Sequence, residues 1–151
     1  DYRNVQLIHM IEETTHYLKT LGLTTGSKIG LFSTTGTRQA KIYSTILESE
    51  GYTILEVPEN LQTELHDSIY NIQWGIKAHS SPVTQKARDN FLKYSRILID
   101  QGVKAIILGC TEIPLALPEK TINGIPLIDP MSALARALVR EAAPEKLRPL
   151  K

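Results

Sequence analysis

Cysteine is almost absent. Cys110 is the only one among 151 residues, so an internal disulfide is impossible and nothing points to an oxidising compartment; a cytoplasmic home is expected. Neither sign of charge dominates. Seventeen Lys+Arg against sixteen Asp+Glu leave +1, and without a basic stripe nucleic acid is not expected as a partner. The apolar runs are too short to cross a bilayer, so no membrane partner is expected. No charged start followed by an apolar stretch reads as a signal peptide. The four histidines, His9, His16, His66 and His79, form neither an H-E-x-x-H nor a Cys/His cluster, so no metal site is expected. Neither G-x-G-x-x-G nor a phosphate loop ending in Gly-Lys-Ser/Thr occurs.

What is present suffices for one domain of ordinary size. Hydrophobic residues make up 42% and charged residues 22%, which is globular composition. Short apolar segments alternate with stretches of helical spacing. Val5–Ile8 is a short apolar segment, followed by a helix from Ile11 to Leu21. Lys28–Phe32 reads as a strand, Arg38–Glu50 as a helix closed by Gly51, and Tyr52–Val57 as a strand stopped by Pro58. Leu61–Trp74 has helical spacing and ends at Gly75. Ser81-Pro82 reads as an N-cap with proline at the first helical position, opening a helix to Gln101. Val103–Leu108 is apolar throughout except Lys104, as in a strand buried on both faces. Ile125–Ile128 is a further strand and Ser132–Ala143 the last helix, with a polar tail from Glu145. This order predicts an α/β fold: a parallel sheet with helices on both faces. Leu7-Ile8-His9 before one helix echoes Leu127-Ile128-Asp129 before another, a short internal repeat.

In an open parallel sheet, ligands bind outside the carboxyl ends of the strands. Three segments fall there: Ser33-Thr34-Thr35-Gly36-Thr37, Gly109-Cys110-Thr111-Glu112, and Asp129-Pro130. A thiol at a strand end has access that a mid-strand thiol lacks, and it can serve as base or nucleophile where its surroundings favour thiolate; a small buried core residue is the other reading. Glu112, two residues on, can take the thiol's proton or orient a substrate ammonium, or be a solvated loop charge. The Ser33–Thr37 loop directs hydroxyls and N–H groups at one spot, which suits a carboxylate or phosphate; helix capping by Thr35 or Thr37 would use the same residues. Lys77 either reaches over the strand edge to an anionic ligand or is simply solvated. Trp74 reads as core rather than as a stacking platform.

Leu108-Gly109-Cys110-Thr111-Glu112-Ile113-Pro114-Leu115 resembles the second cysteine motif of the aspartate/glutamate racemase family. Ser33–Thr37, with Tyr43 after it, resembles that family's A-T-x-G-T segment. Ile69-Tyr70 through Gly75-Ile76-Lys77 and Ile125–Asp129 resemble further family stretches in the same order. The resemblance implies a cofactor-independent amino-acid racemase of two similar α/β domains, with two cysteines facing each other across the substrate's α-carbon. It implies Cys110 as one thiol, Glu112 as its support, Thr34, Gly36, Thr37 and Lys77 as holders of substrate carboxylate, and Thr111 beside the thiol. The substrate would be a small amino acid or dicarboxylate. The family's first domain carries a Cys-Asn-Thr segment that this sequence lacks, and the sequence opens on Asp1 rather than methionine. The expected organisation is therefore one Rossmann-like half. Residues 1–21 form a junction strand and connecting helix from the other domain, 22–131 the carboxyl-terminal α/β domain, and 132–151 a last helix that would pack on the other domain and a frayed tail. Docking to that domain, or self-association, is expected, and the isolated chain is expected to be inactive. A one-thiol decarboxylase-type relative, or a non-catalytic carboxylate-binding or interaction module, are the alternatives.

Overall fold

The computed structural model describes residues 5–149. Five strands form one sheet: β1 (Lys28–Phe32), β2 (Thr53–Glu56), β3 (Ala105–Leu108), β4 (Thr121–Ile122) and β5 (Ile125–Ile128). Their order is β2-β1-β3-β5-β4. The first four run parallel and β4 returns antiparallel on β5. From β1 the chain goes first to one side, to β2, and then to the other, to β3. The sheet therefore has its switch point between β1 and β3, where Phe32 lies opposite Leu108. That crevice is where open α/β sheets hold ligands.

Side chains alternate across the sheet with the period of two that strands impose. Ile29, Leu31, Ala105 and Ile107 face one layer, made by α1 (Met10–Thr20) and α3 (Ile42–Ser49). Phe32, Ile106 and Leu108 face the other, made by α4 (Glu59–Tyr70) and α5 (Gln85–Asp100). The heart of the second layer is an aromatic cluster of Phe32, Phe91 and Tyr94, with ring centroids 5.7 to 6.2 Å apart. Each is fully buried, and truncating such a ring costs about 3–5 kcal/mol. The predicted α/β fold with a mainly parallel sheet and helices on both faces is the one observed.

Several expected boundaries shift for local reasons. Val5–Ile8 forms no strand. The single helix expected over Arg38–Glu50 is two, α2 (Thr35–Gln39) and α3, broken at Lys41 with φ 52°. A left-handed lysine costs about 1 kcal/mol or more, so packing of α3 on the sheet imposes the break. The helix expected to reach Trp74 stops at Tyr70, because the Asn71 side chain accepts the N–H groups of Gln73 and Trp74 and turns the chain. Helix α5 starts at Gln85, not after Ser81-Pro82. Its N-cap is Thr84, whose hydroxyl accepts from the Ala87 N–H and donates to the Trp74 carbonyl at 2.6 Å. A short helix, α6 (Ile113–Ala116), follows the β3 edge. The last helix, α7 (Pro130–Ala142), begins two residues earlier than expected, capped by Asp129.

Helices α1 and α7 lie against each other. Arg140 donates to both carboxylate oxygens of Glu13 at 3.0 and 2.8 Å, clamping the pair. The internal repeat survives as geometry: His9 and Asp129 occupy the N-cap positions of α1 and α7 with nearly the same backbone angles, φ −94°, ψ 116° and φ −90°, ψ 113°.

Candidate functional site

Cys110 follows β3 at the switch point. Its approach depends on Gly109. The Gly109 N–H donates to the Phe32 carbonyl at 2.7 Å, and a Cβ there would lie 2.8 Å from that oxygen and 2.9 Å from Leu31 Cδ1. Only glycine lets the chain cross β1 so closely. The Cys110 thiol then donates to Glu112 Oε2 at 2.9 Å, and the Thr111 hydroxyl donates to the same oxygen at 2.9 Å. Lys77 Nζ sits 3.3 Å from Glu112 Oε1. Thiol, carboxylate and ammonium are thus joined in one cluster.

Lys77 is delivered by the turn after α4. The N–H groups of Ile76 and Lys77 donate back to the carbonyls of Ser68 and Ile69, each at 3.0 Å. The fold-back brings Gly75 against Asn71, where a Cβ would meet backbone atoms at 2.6 Å. The expected Ile69-Tyr70…Gly75-Ile76-Lys77 segment is therefore a device for placing a lysine at the strand edge. Lys77 Nζ also lies 4.6 Å above the Tyr70 ring, in cation–π range. Tyr70 stacks on His66 at 4.7 Å, and His66 Nδ1 accepts the Thr35 N–H at 3.3 Å. A continuous run of contacts leads from Cys110 to the Ser33–Thr37 loop.

That loop does cap a helix. Thr34 Oγ1 accepts the Thr37 N–H at 3.3 Å and lies 3.0 Å from Thr37 Oγ1. Gly36 is exposed, with open space around it. The loop is held from beneath by Arg38 and Gln62. Arg38 donates to the Val57 carbonyl and to Gln62 Oε1, and pairs with Glu56 and Glu59. Gln62, itself buried, donates to the Ser33 carbonyl at 3.0 Å. Neither residue was singled out by sequence reading; they look like ordinary helix-surface residues until β2 and α4 close over them.

Electrostatics fix where the protons rest. Burial, with help from the Glu112 carboxylate beside it, pushes the Cys110 thiol up to about 11. Burial also acts to raise Glu112, but donation from Cys110, Thr111 and Lys77 outweighs it and holds the carboxyl below its ordinary value. Glu112 in turn raises Lys77. The resting cluster is thiol, carboxylate and ammonium.

Of the expected residues, Cys110, Thr111, Glu112 and Lys77 are in direct contact, and Thr34, Gly36 and Thr37 form the neighbouring loop across the β1–β3 crevice. A cavity of about 90 Å³ adjoins Cys110, with Tyr43 and Asp129 in its wall and Lys77 outside it. A wider trough of about 820 Å³ runs along β4 and β5 and reaches none of Cys110, Glu112 or Lys77. Apolar side chains stand exposed near the cluster: Tyr70, Ile72, Leu115 and Met131, with Ile72 87% exposed. Among the described residues, no three metal-ligating side chains gather, and no helix is long and apolar enough to cross a membrane.

An open, mainly parallel α/β sheet with a thiol, a carboxylate and an ammonium gathered at its switch point places the chain in the class of doubly wound α/β domains. The particular family is shown by comparison: the sequence profile of the Asp/Glu/hydantoin racemases matches residues 3–138, and the chain belongs to that family. An uncharacterized protein from the pnlA 3′ region of Pectobacterium carotovorum subsp. carotovorum is 30% identical over 115 residues, which span 76% of this chain and 70% of that protein. The Picrophilus torridus aspartate racemase is 31% identical, with a TM-score of 0.69 over 89% of this chain and 52% of its own. An aspartate racemase homologue from Pyrococcus horikoshii OT3, 22% identical, shares the fold with a TM-score of 0.73 over 93% of this chain and 57% of its own. The chain spans little more than half the length of these solved structures.

Proposed function

We propose that this chain is the carboxyl-terminal half of a cofactor-independent amino-acid racemase of the aspartate/glutamate type, in which Cys110 moves the α-proton. The observation that carries the reading is the Cys110–Glu112–Lys77 cluster at the switch point, with the Thr34–Thr37 loop across the crevice. The α-proton of an amino acid is very weakly acidic. Its removal becomes possible when charge developing on the carboxylate is met by donors fixed in advance and water is kept out. The Thr34 and Thr37 hydroxyls and Lys77 are the donors offered here, and Thr111 stands beside the thiol.

The protonation pattern supports one direction for Cys110. With its proton held on sulfur, it is the acid of the resting site. A thiolate on the opposite face would take the α-proton, breaking one C–H bond, and Cys110 would give its own proton to form the new one. Cys110 would then be the thiolate for the reverse reaction, with Lys77 partly offsetting Glu112. The opposing thiol is absent from this sequence, since Cys110 is its only cysteine. A second α/β half docking over the exposed Tyr70, Ile72, Leu115 and Met131 would supply it and exclude water. A small amino acid or dicarboxylate is the expected substrate, without a cofactor.

The test is deuterium uptake at the α-carbon of L- and D-aspartate and L- and D-glutamate in heavy water, followed by proton NMR. It applies to the chain and to any longer natural form of it. Uptake that disappears in Cys110→Ser, with the fold retained by circular dichroism, is the expected result for the form with a complete site. Uptake that survives the substitution would refute the thiol assignment. Loss of carbon dioxide without α-proton exchange would favour the one-thiol decarboxylase alternative.

A further inference from the structure

The cavity beside Cys110 has a charge character that Lys77 does not explain. Its wall includes Tyr43, Gly109, Cys110, Thr111, Asp129 and Met131, and no cation among the described residues lines it. Asp129 is fixed in place: Oδ1 accepts the Met131 N–H at 3.0 Å and Oδ2 accepts the Ser132 hydroxyl at 2.7 Å. A carboxylate has about four acceptor sites, so two remain. Tyr43 is 4% exposed as a whole residue, and its hydroxyl, on a residue of the cavity wall, makes no hydrogen bond to another described residue. Burial first, and then the nearby Cys110 and Asp129, push that hydroxyl up to about 12, so it stays neutral and keeps its lone pairs available. Tyr43 reaches this position because the chain breaks at left-handed Lys41 and starts α3 afresh.

We propose that this cavity is the seat of the substrate's α-ammonium group, held by the Asp129 carboxylate and the Tyr43 hydroxyl; this rests on the reading that Cys110 faces an amino-acid α-carbon. The site then divides by charge. The side with Lys77, Thr34 and Thr37 takes carboxylate, and the side with Asp129 and Tyr43 takes ammonium, with Cys110 between them. At about 90 Å³ the cavity holds roughly three waters' share of liquid volume. That admits an ammonium and its carbon but not a whole dicarboxylic amino acid, so the rest of the ligand must extend towards the Thr34–Thr37 loop. The arrangement also couples binding to reactivity. An ammonium next to Cys110 favours thiolate, against the burial and the Glu112 charge that keep the sulfur protonated. A dicarboxylate without an amino group fills the anionic subsite and leaves the thiol as it was.

The experiment is calorimetric titration of the chain with L-aspartate and with succinate, alongside ultraviolet titration of the thiolate with each ligand bound. The wild type should bind aspartate more tightly than succinate, and only aspartate should lower the apparent thiol pKa. Asp129→Asn keeps an N-cap residue and should weaken aspartate about tenfold while leaving succinate unchanged. Tyr43→Phe keeps the ring and should weaken aspartate about fivefold with the same selectivity. Equal affinity of the wild type for the two ligands would overturn the ammonium seat while leaving the thiol reading intact, as would variants that weaken both ligands alike. Failure of either ligand to bind at millimolar concentration would overturn the carboxylate reading and this inference together.

Discussion

Replacing Glu112 by glutamine tests what keeps the proton on Cys110. Burial and the Glu112 carboxylate together hold the thiol at about 11, so at pH 8 only about one molecule in a thousand carries thiolate. Glutamine retains the shape and can still accept from Thr111, but it removes the negative charge 2.9 Å from sulfur. Burial remains, so the thiol pKa should fall by about one, not to that of a free cysteine. The thiolate population then rises about tenfold, while each thiolate becomes about threefold less nucleophilic along a Brønsted slope near 0.4–0.5. Reaction with an aromatic disulfide reagent at pH 8 should therefore be about threefold faster in Glu112→Gln. Lys77 acts on the thiol in the opposite sense, so Lys77→Met should slow the same reaction. Rates are read under pseudo-first-order conditions and normalised to the thiol content of the denatured protein. An unchanged or slower rate in Glu112→Gln would refute the argument that the carboxylate holds the proton on sulfur.

Gly109→Ala would drive a Cβ to 2.8 Å from the Phe32 carbonyl and 3.3 Å from Tyr43; it should cost about 2–3 kcal/mol in chemical denaturation, and a neutral result would show that the β1–β3 edge can move. Arg38→Met removes the donor to Val57 and Gln62 and the partner of half-buried Glu56, and should cost about 2–3 kcal/mol at pH 7. Burial already raises Glu56 despite Arg38. Its ionised form opposes folding at neutral pH, and that cost is relieved as pH falls through its folded value. The deficit of Arg38→Met should therefore narrow as pH falls from neutral through the raised folded value of Glu56, and denaturation curves with a constant deficit would contradict this. Arg140→Met should cost about 1 kcal/mol by unclamping α7 from Glu13 on α1. Donation from Arg140 holds the Glu13 carboxyl below its ordinary value, so this contribution is present above the unfolded carboxyl pKa and is lost as pH falls through the folded one. Thermal melts of the variant and wild type should converge in acid.

Strands β1 and β3, which carry the site, were legible because burial on both faces leaves no alternative to apolar residues. Lys28–Phe32, Val103–Leu108 and Ile125–Ile128 each lie on an observed strand. Strand β4 was missed because two residues, Thr121 and Ile122, give no period, although the signal was present in Asn123-Gly124, whose positive φ values of 50° and 77° make the turn back to β5. An Asn-Gly pair is among the strongest short-range hairpin signals. The helix boundaries failed where long-range contacts choose between local options. Ser81-Pro82 and Thr84 are both competent helix starts, and the Trp74 carbonyl selects Thr84. Arg38–Glu50 has unbroken helical spacing, and no local residue announces the left-handed Lys41.

The same distinction governs the site. Cys110, Glu112 and Thr111 are neighbours in sequence, and Lys77 lies in a recognisable segment, so strand-end reasoning assembles the thiol, carboxylate and ammonium cluster without coordinates. Tyr43 and Asp129 could not be paired that way. Each belongs to its own edge segment, and their relation depends on α3 being re-aimed at Lys41 and on α7 starting at Pro130 rather than two residues later. Had Arg38–Glu50 formed one straight helix, Tyr43 would lie in its second turn with its direction set by the helix axis, not by the sheet edge. The break therefore decides whether the thiol meets a bare apolar wall or a hydroxyl. It is the feature most worth altering by design: Lys41→Gly should relieve the left-handed conformation and stabilise the fold by up to about 1 kcal/mol, while leaving Tyr43 aimed at Cys110. A variant that fuses α2 and α3 should turn it away.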